Sequence, residues 1–324
     1  MAHSRFVKDA GLTFRMSTVM FLLGALFVAL VVVLMFAASS SGYSGLVPII
    51  GIAGIGVAVY QWWTSDTTAM KAMRAREVSP EEAPELHGMI DRLCALADMP
   101  KPTVAIAYTN LPNAFATGRN PSHSAVCVTT GILDKLTVEE LEGVLAHELS
   151  HVAHRDVMVM SLAATAGIIT GMVLRGAQFG GLGMLGGGRR DDRSGVPVWL
   201  LILVASVVVY AISFIATKML SRYRELAADR AGAFLTGNPS ALASALTKIT
   251  GEIAVIPQKD LRAAQSMNAF FIAPAAAGVS WKTLTSTHPS LEQRLAQLAQ
   301  VATELGRPLD GGFPQGPGPG GPTR

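Results

Sequence analysis

The chain has 324 residues, of which 50% are hydrophobic and only 15% charged, and its 26 basic and 23 acidic residues leave a net charge of +3. A soluble globular domain carries roughly 25% charged residues, so a single water-soluble domain is excluded. So small a positive excess, with no long basic run, gives nucleic acid nothing to bind.

The charges are unevenly spread. Four windows, Met16–Ala38, Ser44–Trp63, Val157–Leu174 and Val196–Thr217, contain none, while the rest of the chain has an ordinary charged fraction. The pattern is that of water-facing protein interrupted by segments a hydrocarbon core accepts. The first window is too long for the apolar part of a signal peptide, and a second follows after a short polar break, so it reads as a retained anchor. Together they make a transmembrane hairpin over residues 1–63. Arg5, Lys8 and Arg15 precede it and Lys71, Arg74 and Arg76 follow it, whereas its turn is uncharged. That asymmetry puts both open ends in the cytoplasm, with Trp62 and Trp63 at headgroup level.

Residues 64–156 then read as the first part of a water-facing domain. Pro84–Ala97 has helical spacing, Thr103–Tyr108, Asn113–Gly118 and Ala125–Thr130 are strand candidates, and a small sheet on helices is the most they support. Cys94 and Cys127 lie in apolar stretches with no CxxC, which fits core thiols in a reducing compartment. Thr137 with Glu140 forms a capping-box pattern that predicts a helix from Val138 to about Arg155.

A second membrane hairpin is expected over 157–217. Its first span, Val157–Leu174, covers only about 27 Å as a helix, and its loop holds seven glycines within Gly176–Gly188. Residues 218–305 return as the second part of the domain, with helical stretches at Arg222–Leu235, Leu242–Ile249 and Ser290–Leu305. The Gly/Pro-rich stretch 306–324 cannot bury a core and reads as a disordered tail.

The chemistry is carried by His147-Glu148-Leu149-Ser150-His151, an HExxH on a predicted helix. Residues four apart share a helix face, so both imidazoles reach one ion, and Glu148 beside them can take a proton from water. Two imidazoles and a carboxylate suit zinc. His154 stands about 10.5 Å along the axis from His147, too far for a common ion on a straight helix, and is placed in the surrounding shell or the packing. The better third ligand is Glu225, on a helix that also presents Asp229 one turn on. Asp229 is suited to accept the free ring N–H of a ligand histidine.

These motifs, in this order, resemble the HtpX-type membrane zinc metalloproteases, relatives of the CAAX prenyl endopeptidases. The resemblance rests on the N-terminal hairpin, Asn113–Gly118 (NAFATG), His147–Asp156 (HELSHVAHRD), the second apolar pair, Ser221–Asp229 and Thr287-His288-Pro289-Ser290. It implies a mainly α integral membrane protein with four apolar transmembrane helices and a cytoplasmic zincin-like α+β protease domain. By resemblance, His147, His151 and Glu225 bind one zinc ion and Glu148 is the general base. His288 stabilises the oxyanion and Arg222 supports Glu225 or Asp229. Asn113, Ala114 and Phe115 on a sheet edge, with Arg294, contact substrate.

The implied activity is zinc-dependent endoproteolysis of misfolded or damaged membrane proteins at the cytoplasmic face of the cell (inner) membrane, in quality control, with both termini cytoplasmic. The partners implied are those unfolded substrates, the lipid bilayer and other membrane proteases. No GxxxxGK[ST] occurs, so no nucleotide is expected. Two other readings are processing of lipid-modified peptides and a non-enzymatic metal-binding membrane scaffold. Glu148 between the histidines argues against the scaffold.

Overall fold

The computed structural model describes residues 10–40, 44–63, 70–71, 73–155, 198–255 and 288–307. The chain divides into an apolar unit (Phe14–Thr64 and Met158–Leu220) and a second unit (Met1–Thr13, Ser65–Val157 and Ser221–Arg324).

In the apolar unit the first helix, α1 (Ala10–Ser40), extends beyond its charge-free window on both sides. Leu23 and Leu30, seven residues apart, are buried, whereas Phe14, Phe21 and Phe36 lie more than half exposed, as a lipid-facing surface requires. A short 3-10 turn, Ser44–Leu46, leads into α2 (Val47–Trp63), whose 17 residues reach only the lower limit of a span. Gly54 makes the hairpin close: an added Cβ there would stand 3.1 Å from the Val31 side chain.

Among the described residues, two helices are long and apolar enough to cross a bilayer, α1 and the one that holds the fourth window. The expected third span, 157–174, and the glycine-rich loop lie outside the described residues. Of the four expected transmembrane helices, two are found among the described residues, in a mainly α protein with a small mixed sheet. The fourth window and the Arg222–Leu235 stretch, expected as separate elements, are one 39-residue helix, Val198–Thr236. Nothing between Thr217 and Arg222 breaks a helix, so the backbone continues to Gly237, whose φ of +65° ends it.

The second unit is built on a four-stranded sheet in the order β1-β2-β4-β3. The strands are β1 (Arg76–Glu77), β2 (Thr103–Ala107), β3 (Ala114–Asn120) and β4 (His123–Thr129). β2 and β4 run parallel in the register Thr103↔Ala125, while β3 and β4 form an antiparallel hairpin in the register Ala114↔Val128. Gly118 is required in that hairpin, since a Cβ would stand 2.4 Å from the His123 carbonyl oxygen at a φ of +141°. β1 adds a fourth strand to the expected three; two residues show no periodicity to read.

Val104, Ala114, Ala116, Val126 and Val128 face the main core with α3 (Pro84–Ala97). Ala105, Ala107, Phe115 and Cys127 face a smaller cluster under Met70, Met73 and Ala75. Burial pushes the Cys127 thiol up to about 12 and Cys94 to about 11, so both are inert core thiols.

After the one-and-a-half-turn α4 (Thr130–Lys135) comes α5 (Val138–Ala153), which carries the HExxH. Its capping box is formed: Thr137 Oγ1 accepts from the Glu140 N–H at 3.3 Å, and Glu140 Oε2 accepts from the Thr137 N–H at 2.9 Å. Calling the 39-residue helix α6, the remaining helices are α7 (Pro239–Val255) and α8 (Leu291–Glu304), the latter capped by Ser290 with Gln293. Gly306 and Arg307, expected in the tail, belong to the fold. Arg307 N–H donates to the Ala302 carbonyl and its guanidinium to the Gly237 carbonyl; residues 308–324 lie outside the description.

Glu140 also fastens α5 to α7, accepting from Ser244 Oγ at 2.6 Å and from Lys248 Nζ at 2.8 Å. Burial alone would raise this carboxyl, but Lys248, Ser244 and the Thr137 N–H outweigh it and hold it below the usual range. A carboxyl depressed by folding adds stability above its unfolded value and loses it as the pH falls through its folded one. Glu140→Gln should therefore cost about 1–2 kcal/mol near pH 7, discounted because Lys248 is partly exposed. The gap in melting temperature between wild type and variant should close below about pH 4. A gap that persists there would mean the charge is not what matters.

Candidate metal centre

His147 and His151 project one turn apart from α5, their rings almost perpendicular with centroids 4.8 Å apart. Their Nε2 atoms converge to 3.2 Å. Glu225, from α6, stands opposite, with Oε2 3.7 Å from His147 Nε2 and Oε1 3.6 Å from His151 Nε2. All three side chains are buried and can offer ligand atoms within 4.8 Å of one another. Zinc bonds of about 2.0–2.1 Å at tetrahedral angles separate neighbouring ligand atoms by about 3.3 Å. The donor set therefore fits one zinc ion.

The surroundings explain the orientation of His147. Its Nδ1 lies 2.9 Å from Asp229 Oδ1, which leaves Nε2 to face the shared point. Burial pulls the His147 pKa down, but the Asp229 and Glu225 carboxylates outweigh it and raise it to about 9. Asp229 is gripped in turn by Arg294, whose Nε and an Nη each donate at 2.6 Å, forming a bidentate pair. Arg294 is only 2% exposed and lies within the site rather than on the protein surface. His288 is also buried, with Nδ1 3.1 Å from Glu225 Oε2.

Glu148 points towards the sheet. Its Oε2 accepts from the Ala116 N–H at 2.9 Å, on the edge strand β3. Burial raises this carboxyl above the usual range, more strongly than His147 and His151 lower it. A raised carboxylate beside a metal-ligand cluster is poised for proton transfer.

The structure thus brings together His147, Glu148, His151, Glu225, Asp229, His288 and Arg294. His154 is the C-cap of α5 and half-buried beyond the cluster, and Arg222 is half-buried on α6. Ala114 and Phe115 open the edge strand β3 and Asn113 directly precedes it, with all three side chains buried. Asn113 is 0% exposed and Phe115 packs in the smaller core beside Cys127. What β3 offers at its edge is main chain. The Ala116 amide was missed because no side-chain pattern marks a backbone donor.

Two imidazoles, a third-ligand carboxylate and an adjoining buried glutamate define a mononuclear zinc peptidase centre. A model of peptidase family M48 matches residues 80–302. Protease HtpX homolog 1 of Streptomyces coelicolor is 53% identical over 304 residues, 94% of this chain and 97% of that protein. The protease HtpX homolog of Moorella thermoacetica is 50% identical over 92% of this chain and 97% of its own length. Protease HtpX homolog 2 of Methanosarcina acetivorans is 46% identical over 93% and 99%. Among solved structures, that of S. mikatae Ste24p aligns with a TM-score of 0.49 and 16% identity, covering 88% of this chain and 64% of that one. The chain belongs to peptidase family M48, among its HtpX-type proteases. It is a membrane-associated, zinc-dependent endopeptidase with one metal site per chain.

Proposed function

We propose that this endopeptidase cuts misfolded or damaged membrane proteins at the cytoplasmic face of the cell membrane. The observation that carries the reading is Glu148, held at once beside the His147–His151–Glu225 set and on the amide of an edge strand. An unfolded segment adds to that edge as an extended strand, so main-chain pairing supplies affinity with little sequence preference. Such selectivity suits a protease for damaged proteins.

His147, His151 and Glu225 hold the zinc, which when bound supplies Lewis acidity to the attacking water and the scissile carbonyl. Glu148 takes the proton from that water and returns it to the leaving amine. Asp229 keeps His147 in one tautomer, and Arg294 keeps Asp229 charged and in place. His288 supplies a donor beside Glu225 for the developing oxyanion. Arg222 and His154 support the two ligand helices from outside this shell. Arg15, Lys71, Arg74 and Arg76 at the open ends of the first hairpin support cytoplasmic termini in a multi-pass arrangement.

The test is reconstitution in liposomes with a membrane protein in a stable and a destabilised form, and with a prenylated peptide. Cleavage confined to the water-exposed loops of the destabilised form is expected. Faster cleavage of the prenylated peptide than of its unmodified counterpart would replace this reading with lipid-peptide processing.

A further inference from the structure

Glycine inside a helix is unfavourable, and α6 keeps one at Gly232. An added Cβ there would stand 2.8 Å from the His147 nitrogen, 3.1 Å from the Ala146 carbonyl carbon and 3.1 Å from the His147 Cα. All three are backbone atoms of α5, so no side chain can swing aside and the two helices would have to separate. By contrast, a Cβ at Gly251 of α7 would meet nothing within 4 Å. Gly232 follows Asp229 by three residues and Glu225 by seven, which puts all three on one face of α6. The helix that supplies the third ligand therefore touches the first ligand's own backbone through a missing side chain.

We propose that Gly232 is a positioning residue that sets the separation of α5 and α6, and with it the size of the metal site. The proposal rests on the zinc-peptidase reading above. Glu225 and Asp229 meet His147 only if the backbones approach this closely. Wider spacing lengthens the distance from Glu225 Oε2 and Oε1 to the two imidazoles, now 3.7 and 3.6 Å, and from Asp229 to His147 Nδ1. A wider site still suits a larger ion.

The experiment uses the full chain in detergent, stripped of metal and titrated with zinc or cadmium against a competing chelator. Wild type is compared with Gly232→Ala and Gly143→Ala. Gly143 serves as comparator because it is also a close contact of α5, its Cβ position lying 3.2 Å from the Leu242 nitrogen of α7. Gly232→Ala is expected to bind zinc about 10–100-fold more weakly, the range seen when support around a ligand is lost. Its cadmium affinity should fall much less, because cadmium forms longer bonds. Gly143→Ala, whatever it does to the melting temperature, should leave the cadmium-to-zinc ratio at its wild-type value.

Equal losses of the two metals in Gly232→Ala, zinc affinity at the wild-type value, or the same ratio change in Gly143→Ala would each overturn the proposal. So would a Gly232→Ala chain that stays unfolded in saturating cadmium, since the glycine would then serve assembly rather than spacing. Wild type that binds no zinc would bring down the metal-site reading itself.

Discussion

Glu148→Gln should reduce peptide hydrolysis by about 1,000-fold or more and leave zinc bound. The substitution keeps the shape of the side chain and an oxygen to accept the Ala116 N–H, so β3 and α5 keep their connection. It leaves His147, His151 and Glu225 untouched. What it removes is a carboxylate, raised by burial beside two imidazoles, that takes a proton from water. Metal content per chain and the rate of cleavage of an unfolded protein, measured on the same preparation, separate the two effects. Full activity would sink the assignment of the base. Loss of zinc together with activity would make Glu148 part of the metal shell instead.

Asp229→Ala should have two separable consequences. His147 loses the acceptor at its Nδ1, for which a zinc affinity about 10–100-fold weaker is expected. Arg294, 2% exposed, loses its bidentate partner and keeps the Glu225 carboxylate only at 3.9 Å, and removing the main partner of a buried charge costs about 3–5 kcal/mol of stability. Replacing Arg294 by Met in the same chain removes that charge. The double variant should recover most of the stability and none of the zinc affinity. Denaturant titration of the metal-free proteins reads the first quantity and chelator competition the second. If the double variant is no more stable than the single one, the cost does not come from Arg294.

Local signals carried well from sequence to structure. Thr137 with Glu140 placed the start of the HExxH helix, and Pro84–Ala97 spans the residues its spacing predicts, because caps and periodicity act within one or two turns. The pairing of His147, His151 and Glu225 was legible through motif chemistry. The partner of Arg294 was not: Asp229 lies 65 residues away, and no local pattern tells a buried arginine from a solvated one. The grip of Ser244 and Lys248 on Glu140 crosses more than 100 residues and was hidden for the same reason. Asn113 and Phe115 were expected to contact substrate because the resemblance put them on a sheet edge, and β3 is an edge strand. Which face of a strand is buried depends on what covers it, and here Met70 and Met73 cover the face that carries Phe115.

The arrangement of Arg294, Asp229 and His147 also sets an order in time. Arg294 is 147 residues downstream of His147, on the last described helix. At about 5–20 residues per second, a ribosome needs roughly 7–30 s to pass from one to the other. During that interval the growing chain has its HExxH but first lacks Glu225 and then lacks the cation that neutralises Asp229. Proteolytic competence therefore waits until α8 has been translated, and a truncated chain ending before α8 is born without the support its metal site needs.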